Sequence, residues 1–512
     1  MEEFKERSDI KLLPGESVVS IIPHQLRRFD TTPSSLQQMM RLTNATAPHK
    51  IGENGPSVAS LAFDISIQTS TPEGVSPLEK SDDTIPTPEH LRLYEVVFGR
   101  DSLRTAIELI PSYPELARAT TLRLAELQGV EYNKEREEAP GKIVHEARDE
   151  DDAIAQDLSE RLGWGWPYYG SVDATPEFIR TLTAYCRRTE ENVEFLTKEY
   201  TDRTNEIRTM AYALDMSVDW VLDKLNENAE GLLEYKSELP HGIENQVWKD
   251  SWDAYHHSDG TLANHDAGIA SIEVQVTTFD ALLDAAYLYE NVLENPKKAD
   301  LLRIQAMRLK KTILETFWTE EKGGYFVLGT DRDENDNLRQ LKIRTSNMGH
   351  TLNSRLLNGD DPEIVRKRKA VVRHILSPEM LNVSGIRTLA SDEVRFRPEA
   401  YHNGSVWLWD THHAAKGLRH HGYIDEADDI DSRLLGVIEA TKIFPEYVKG
   451  DDNDTPHINT STIILWDQIN QRENKLAQPP QEVQAWTVAT ILAIKKRLGE
   501  HHLLPDEVLT QN

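Results

Sequence analysis

From residue 91 to residue 498 the chain alternates amphipathic helices with polar, aromatic-rich loops, and this pattern limits the folds open to it. Leu103, Ala106, Ile107 and Ile110 recur at helical spacing. Pro114 opens a second helix, with Leu116, Ala119, Leu122, Leu124 and Leu127 as its apolar positions. The same signal returns over 178–185, 210–225, 279–287, 304–317, 365–375, 414–418, 430–438 and 483–498. Helices outnumber strand candidates so heavily that the pattern argues against an α/β sheet enzyme. Helical hairpins in such a series can close into a toroid, each helix burying one stripe against its neighbours. The predicted class is therefore all-α.

Residues 1–90 differ from the rest, being rich in Ser, Thr and Pro. Leu61, Phe63, Ile65 and Ile67 alternate with polar or small residues, the period of a strand with one buried face. Pro72, Pro77, Pro86 and Pro88 then make a stiff connector. This predicts a small appendage over 1–90 and a helical catalytic unit over 91–512.

The formal charge of −29, from 57 Lys and Arg against 86 Asp and Glu, argues against nucleic acid and anionic membrane surfaces as partners. Cys186 is the single cysteine, so no internal disulfide can form. The N-terminus lacks an apolar signal region, and no stretch approaches the ~20 apolar residues of a membrane span. The expectation is a soluble, cytoplasmic protein, its oligomeric state left open.

The chemistry-bearing residues gather in the loops. In 248–253, Trp248 and Trp252 flank Asp250, and Asp253 follows three residues after it. Indole faces suit the apolar side of a sugar, and carboxylates and ring N–H groups suit its hydroxyls. A partly dry carboxyl also gains the raised pKa that a general acid needs. Three residues apart, Asp250 and Asp253 read as one side of a helix, too close to act as opposed carboxyls, so Asp253 is assigned to sugar hydroxyls or to orienting the acid. Arg100 and Asp101 open the first helix, Asp101 where an N-cap would stand. Trp166 and Tyr168 lie in a run of four aromatics with glycines, the composition of a stacking platform. Late segments carry His402, Asn403, Trp407 and Trp409, then Glu446 between Pro445 and Tyr447, then Gln484 and Trp486. Glu273 and Gln275 fit either support of the site or buried structure. The paired histidines do not share a helix face, and neither a metal site nor a cofactor is expected. No phosphate loop and no nucleophile elbow is present.

Taken as a set, these segments resemble the amylo-α-1,6-glucosidase or glycogen-debranching-like glycoside hydrolases, relatives of the mannosylglycerate and glucosylglycerate hydrolases in the six-hairpin superfamily. The resemblance rests on Phe98-Gly-Arg-Asp-Ser, Pro140-Gly-Lys-Ile-Val-His-Glu, Tyr168-Tyr-Gly-Ser-Val-Asp, Asn245-Gln-Val-Trp-Lys-Asp-Ser-Trp-Asp and His256-His-Ser-Asp-Gly. Ile272-Glu-Val-Gln, Thr345-Ser-Asn-Met-Gly-His, Tyr401-His-Asn-Gly-Ser-Val-Trp and Pro445-Glu-Tyr continue it in order. It implies an (α/α)6 barrel with the site at one mouth, and an inverting, exo-acting α-glycosidase, an α-glucosidase before other sugars. By match to the family's motifs, Asp250 would be the general acid and Glu446 the general base. Arg100 and Asp101 would line the terminal-sugar pocket, with Trp248, Trp252, His402, Asn403, Trp407, Gln484 and Trp486 as walls or hydrogen-bond partners. The alternatives are a related hydrolase of another sugar, such as a mannosylglycerate, glucosylglycerate or invertase-like enzyme, and a non-catalytic carbohydrate-binding barrel. Two departures stand out. About 90 residues precede the barrel, too few for the β-sandwich common in relatives, and Tyr447-Val448 stands where many have Leu-Phe.

Overall fold

The computed structural model describes residues 96–502, apart from 150–151, 190–191, 442, 459–461, 468–471, 478–479 and 481–483. The expected strand and connector of residues 1–90 lie outside the described residues. The helices are α1 (Gly99–Leu109), α2 (Pro114–Glu126), α3 (Ala153–Leu162), α4 (Ala174–Arg188), α5 (Asn192–Leu196) and α6 (Met210–Leu225). They continue as α7 (Ile272–Asn291), α8 (Pro296–Thr316), α9 (Pro362–Ile375), α10 (Leu408–His420), α11 (Ile424–Thr441) and α12 (Ala485–His502). Each apolar-periodic segment of the sequence overlaps one of them, to within a residue or two at the ends among the described residues. Proline starts α2, α8 and α9, where its missing N–H costs nothing. The short helices α3 and α5 carry too few apolar turns to announce themselves.

Six elements form a closed inner ring: α1 packs on α4, α4 on α7, and α7 on the 3-10 helix Ser346–Thr351. That turn packs on α10, α10 on α12, and α12 returns to α1. Outside it, α2 covers α1 and α4, α6 lies against α4 and α7, and α8 against α7. Helix α9 covers the 3-10 turn, and α11 covers α10 and α12. This is an all-α barrel of helical hairpins. In α4, for example, Phe178, Ile179 and Leu182 are fully buried and Tyr185 and Cys186 nearly so. Each large apolar side chain buried in this way contributes about 1.5–3 kcal/mol. Buried in that stripe, Cys186 is held as a thiol, its pKa pushed up to about 12.

Strands are short and local. The longest described pair, Thr462–Asp467 with Arg472–Ala477, is antiparallel and falls between the Glu446 loop and α12. No described helix is long and apolar enough to cross a membrane.

Outer helices α6, α8 and α9 are capped by the side chains of Thr209, Asn295 and Asp361. Inner helices α1, α4, α7 and α10 begin at Phe98, Asp173, Ser271 and Trp407 without a capping side-chain bond. Their positive ends lie at the end of the barrel where the functional loops gather.

Candidate active site

The loop 247–254 is irregular rather than helical, which corrects the helical reading of Asp250 and Asp253. It is pinned from below: Lys249 is buried and donates from Nζ to the Thr388 carbonyl at 2.7 Å. Burial pushes that amine down to about 8, opposed by Asp410 and Glu273. Trp248 is 1% exposed and meets His402, Trp407 and Trp409 edge-on, with centroids 5.3, 5.7 and 5.0 Å away. Between these anchored neighbours Asp250 stays open, with 35% of its side chain accessible.

Asp250 faces the start of α1, where Arg100 Nη1 lies 3.8 Å from its Oδ2. Asp173, the residue before α4, grips Arg100 through Nε at 2.7 Å and accepts the Ser171 hydroxyl at 2.6 Å. Protein surrounds Asp250 on its closed sides, and burial raises its carboxyl to about 7. Arg100 pulls the other way, while Asp101 and Asp173 add to the rise. Asp101 lies within the first turn of α1 and Phe98 holds the N-cap position, so the N-cap reading of Asp101 is corrected. Its own pKa is raised by burial and by Asp173.

Glu446 reaches the same wall from the other end of the chain. Its loop pairs with 401–406 through reciprocal bonds of Val406 and Val448, both 2.9 Å. Thr487 of α12 holds the Pro445 carbonyl at 2.8 Å. Glu446 is 4% exposed and accepts from the Tyr401 hydroxyl. The next residue, His402, accepts at Nδ1 from the Ser251 backbone N–H at 3.3 Å and lies 2.9 Å from the Ser251 hydroxyl. Because a backbone N–H can only donate, the proton of this imidazole sits on Nε2. Burial, with Lys249 and Arg100 nearby, holds His402 neutral, far below the ordinary histidine range. Consecutive residues 401 and 402 thus tie Glu446 to the segment that carries Asp250.

The other expected residues fall into two groups. Around Asp250 and Glu446 stand Trp248, His402, Trp407 and Trp486, in a ring cluster completed by Trp409, Tyr447 and Tyr401. Trp407 is 1% exposed and spends its indole N–H on the Tyr401 carbonyl at 2.8 Å, so it braces the wall from inside. Gln484 accepts from the Trp486 backbone N–H at 2.9 Å and sets the start of α12. Asn403 donates to the Asp253 carbonyl at 2.8 Å, and the Asp253 carboxylate turns to Arg397 at 3.3 Å and Arg395 at 3.9 Å. The Arg395 guanidinium also lies 6.0 Å from the Trp252 ring.

Trp166 and Tyr168 form the second group, and here the stacking-platform reading is corrected. Trp166 gives its indole N–H to Ala155 and Ser159 of α3, and Tyr168, fully buried, stacks on Trp164 at 4.1 Å. The Tyr168 hydroxyl serves Glu137 and the Ile243 N–H. These rings fill a separate cluster with Ala155 and Leu158 and offer no face to a ligand. Glu273 and Gln275 are likewise structural: Glu273 takes bonds from Ser271, Tyr255 and Asn347, and Gln275 bridges Leu233. Asp173, Tyr401 and Lys249 went unassigned in the sequence, although each lies in a motif already singled out there. Among the described residues, no group of three or more His, Cys, Asp or Glu could hold a metal ion.

Gly450 closes the base loop so tightly that a Cβ there would stand 1.8 Å from the Gly404 carbonyl oxygen. Gly450→Ala must part the two segments that join Glu446 to Tyr401. It is expected to lower stability by about 1–3 kcal/mol. Turnover should fall further than that loss of folded protein explains, as read by thermal melts beside kcat.

An all-α hairpin barrel that brings two carboxyl-bearing loops to one aromatic wall suits the chemistry of a glycoside hydrolase. The family model described as the mannosylglycerate hydrolase MGH1-like glycoside hydrolase domain matches residues 196–463, more than half of the chain, and the chain belongs to that family. Among solved structures, the GH63 mannosylglycerate hydrolase from Thermus thermophilus in complex with Tris and D-glycerate superposes with a TM-score of 0.51. It is 13% identical, over 86% of this chain and 100% of that one. The same enzyme in complex with Tris gives a TM-score of 0.51 at 12% identity, over 79% of this chain and 94% of that one. At such identity these structures speak for the fold alone. No curated protein matches the sequence.

Proposed function

We propose that the protein is an inverting, exo-acting α-glycosidase, an α-glucosidase in the first reading, that works as a soluble cytoplasmic enzyme on small glycosides. The observation that carries this is the shared anchorage of Asp250 and Glu446 on residues 401 and 402. Asp250, with a carboxyl raised to about 7, is the group suited to protonate the glycosidic oxygen. Glu446 is suited to draw a proton from the attacking water. Direct inversion asks for carboxyls about 6.5–9.5 Å apart with a water between them. Arg100 and Asp101 line the terminal sugar, and Trp252 and Asp253 the leaving-group side.

One observation favours a second reading of the aglycone. Arg395 and Arg397 both converge on the single carboxylate of Asp253, leaving a surplus positive charge beside the loop of the acid. Such a surplus suits a leaving group with its own carboxylate, as in a glyceryl acid glycoside. Lys449, on the base loop, turns instead to Asp451 at 3.4 Å.

Hydrolysis of isomaltose, trehalose, sucrose and a glycogen limit dextrin, set beside glucosylglycerate and mannosylglycerate, tests both readings. Proton NMR of the first product should show the β anomer; the α anomer would exclude inversion. Sugar binding without hydrolysis would favour the non-catalytic barrel. If the aglycone is anionic, Arg397→Met should raise KM for glycerate glycosides about tenfold, the value of one charge-assisted bond, and spare neutral substrates. An equal effect on both would remove the anionic reading.

A further inference from the structure

Behind the aromatic wall, the barrel axis holds a cavity of about 60 Å³, room for a few particles the size of water or a halide ion. None of Arg100, Asp101, Asp250 or Glu446 lines it. Its α1 contribution starts at Arg104, four residues and roughly 6 Å deeper along the helix than Arg100. Trp409 of α10 and Trp486 of α12, themselves members of the ring cluster with Trp407 and Trp248, form the end of the cavity nearest that cluster.

The lining has donors to spare. The indole N–H groups of Trp409 and Trp486 and the Nε–H of Arg104 are buried and meet no acceptor among the described residues. All three residues are at least 93% buried, and the Arg104 guanidinium lies 4.3 Å from the Trp409 ring. The nearby carboxylates are already engaged. Glu177 pairs with Arg104 Nη2 at 2.9 Å, and Glu108 with Lys416 at 2.8 Å and His412 at 3.4 Å. The third cation, Arg180, has its nearest carboxylates, Asp284 and Asp280, at 3.7 and 3.8 Å. Both of those are drawn closer by Arg355, at 2.8 and 2.9 Å. His413, also on the lining, is held neutral by burial and by the charges of His350, Arg104 and Lys416. Arg104 and Lys416 are balanced by Glu177 and Glu108, and Asp280 and Asp284 together balance Arg180 and Arg355, so what the lining offers an anion is its unused N–H groups. Leaving such buried donors unmet is unfavourable, so a bound acceptor there is stabilised.

We propose that this axial cavity binds a small monovalent anion, of which chloride is the simplest, held by the Trp409, Trp486 and Arg104 N–H groups. The site is separate from the catalytic carboxyls and does not depend on which glycoside the enzyme cleaves. The ion braces the far side of the wall that carries Trp248, and so stiffens the barrel from within.

Crystals of the full chain grown in sodium bromide, measured at the bromine absorption edge, give the direct test. An anomalous peak between Trp409, Trp486 and Arg104 is expected. Water alone in the cavity, or bromide only at the surface, would overturn the proposal. In solution, the melting temperature should rise with sodium chloride over sodium gluconate at equal ionic strength, and the rise should saturate. Trp409→Phe keeps the ring and deletes one donor, and should raise the half-saturating chloride concentration about tenfold. Identical melting in chloride and gluconate would count against the site, and should Trp409→Phe not fold, the bromide map of the unaltered protein decides.

Discussion

Asp250→Asn is expected to lower kcat about 10²–10⁴-fold on an unactivated glycoside while the melting temperature stays near that of the parent. The asparagine keeps the shape and the loop anchorage through Lys249 and Trp248 but can no longer give a proton. Two further readouts separate loss of an acid from general damage. A glycosyl fluoride, whose leaving group needs no protonation, should remain a substrate of the variant. In the parent, kcat/KM should fall as pH rises through about 7, because Asp250 serves as an acid only while protonated. The same raised pKa means that the folded state holds this proton more tightly than the unfolded chain. Its contribution to stability is present at low pH and is lost as pH rises through about 7. An alkaline limb that persists in Asp250→Asn would assign the acid to another residue.

Glu446→Gln is the second large effect and differs in kind. With no base to activate water, the variant should lose hydrolysis of glycosyl fluoride as well as of ordinary glycosides, by about 10²–10⁴-fold or more. The Tyr401 hydroxyl can still donate to the amide oxygen, so the wall of Tyr401, Trp407 and Tyr447 should hold together. Near-normal turnover in Glu446→Gln would end its assignment as the base. If both variants retained the fluoride reaction equally, the division of roles between the two carboxyls would fail.

The sequence made the helices legible because their period is local: α6 runs over the expected 210–225, and proline marks the first residue of α2, α8 and α9. Helix α10 is longer than its apolar repeat, since its first two turns carry Trp409, Asp410 and His412, which pack inward through their own partners. The candidate carboxyls, Asp250 and Glu446, are proposed from their motifs. What the sequence concealed is distant pairing. Asp173 reaches Arg100 across 73 positions and Tyr401 reaches Glu446 across 45, and no spacing rule links such residues. Trp166 and Tyr168 misled for the same reason. Rings with glycines do suit a sugar, but Glu137, 31 positions before Tyr168, had already claimed its hydroxyl.

The return of α12 onto α1 has a consequence for how the molecule is made. Helix α1 begins at residue 99 and α12 at residue 485, so the seam between them joins parts of the chain synthesised nearly 400 positions apart. Until the last of these helices leaves the ribosome, α1 and α10 each keep an apolar flank without its neighbour. The nascent polypeptide is then an arc that stays sticky at both tips, the stage at which such intermediates aggregate. Expression yield should therefore track how well that seam zips shut, and lesions along the face of α12 that meets α1 should lower soluble protein before they alter the chemistry of what does fold.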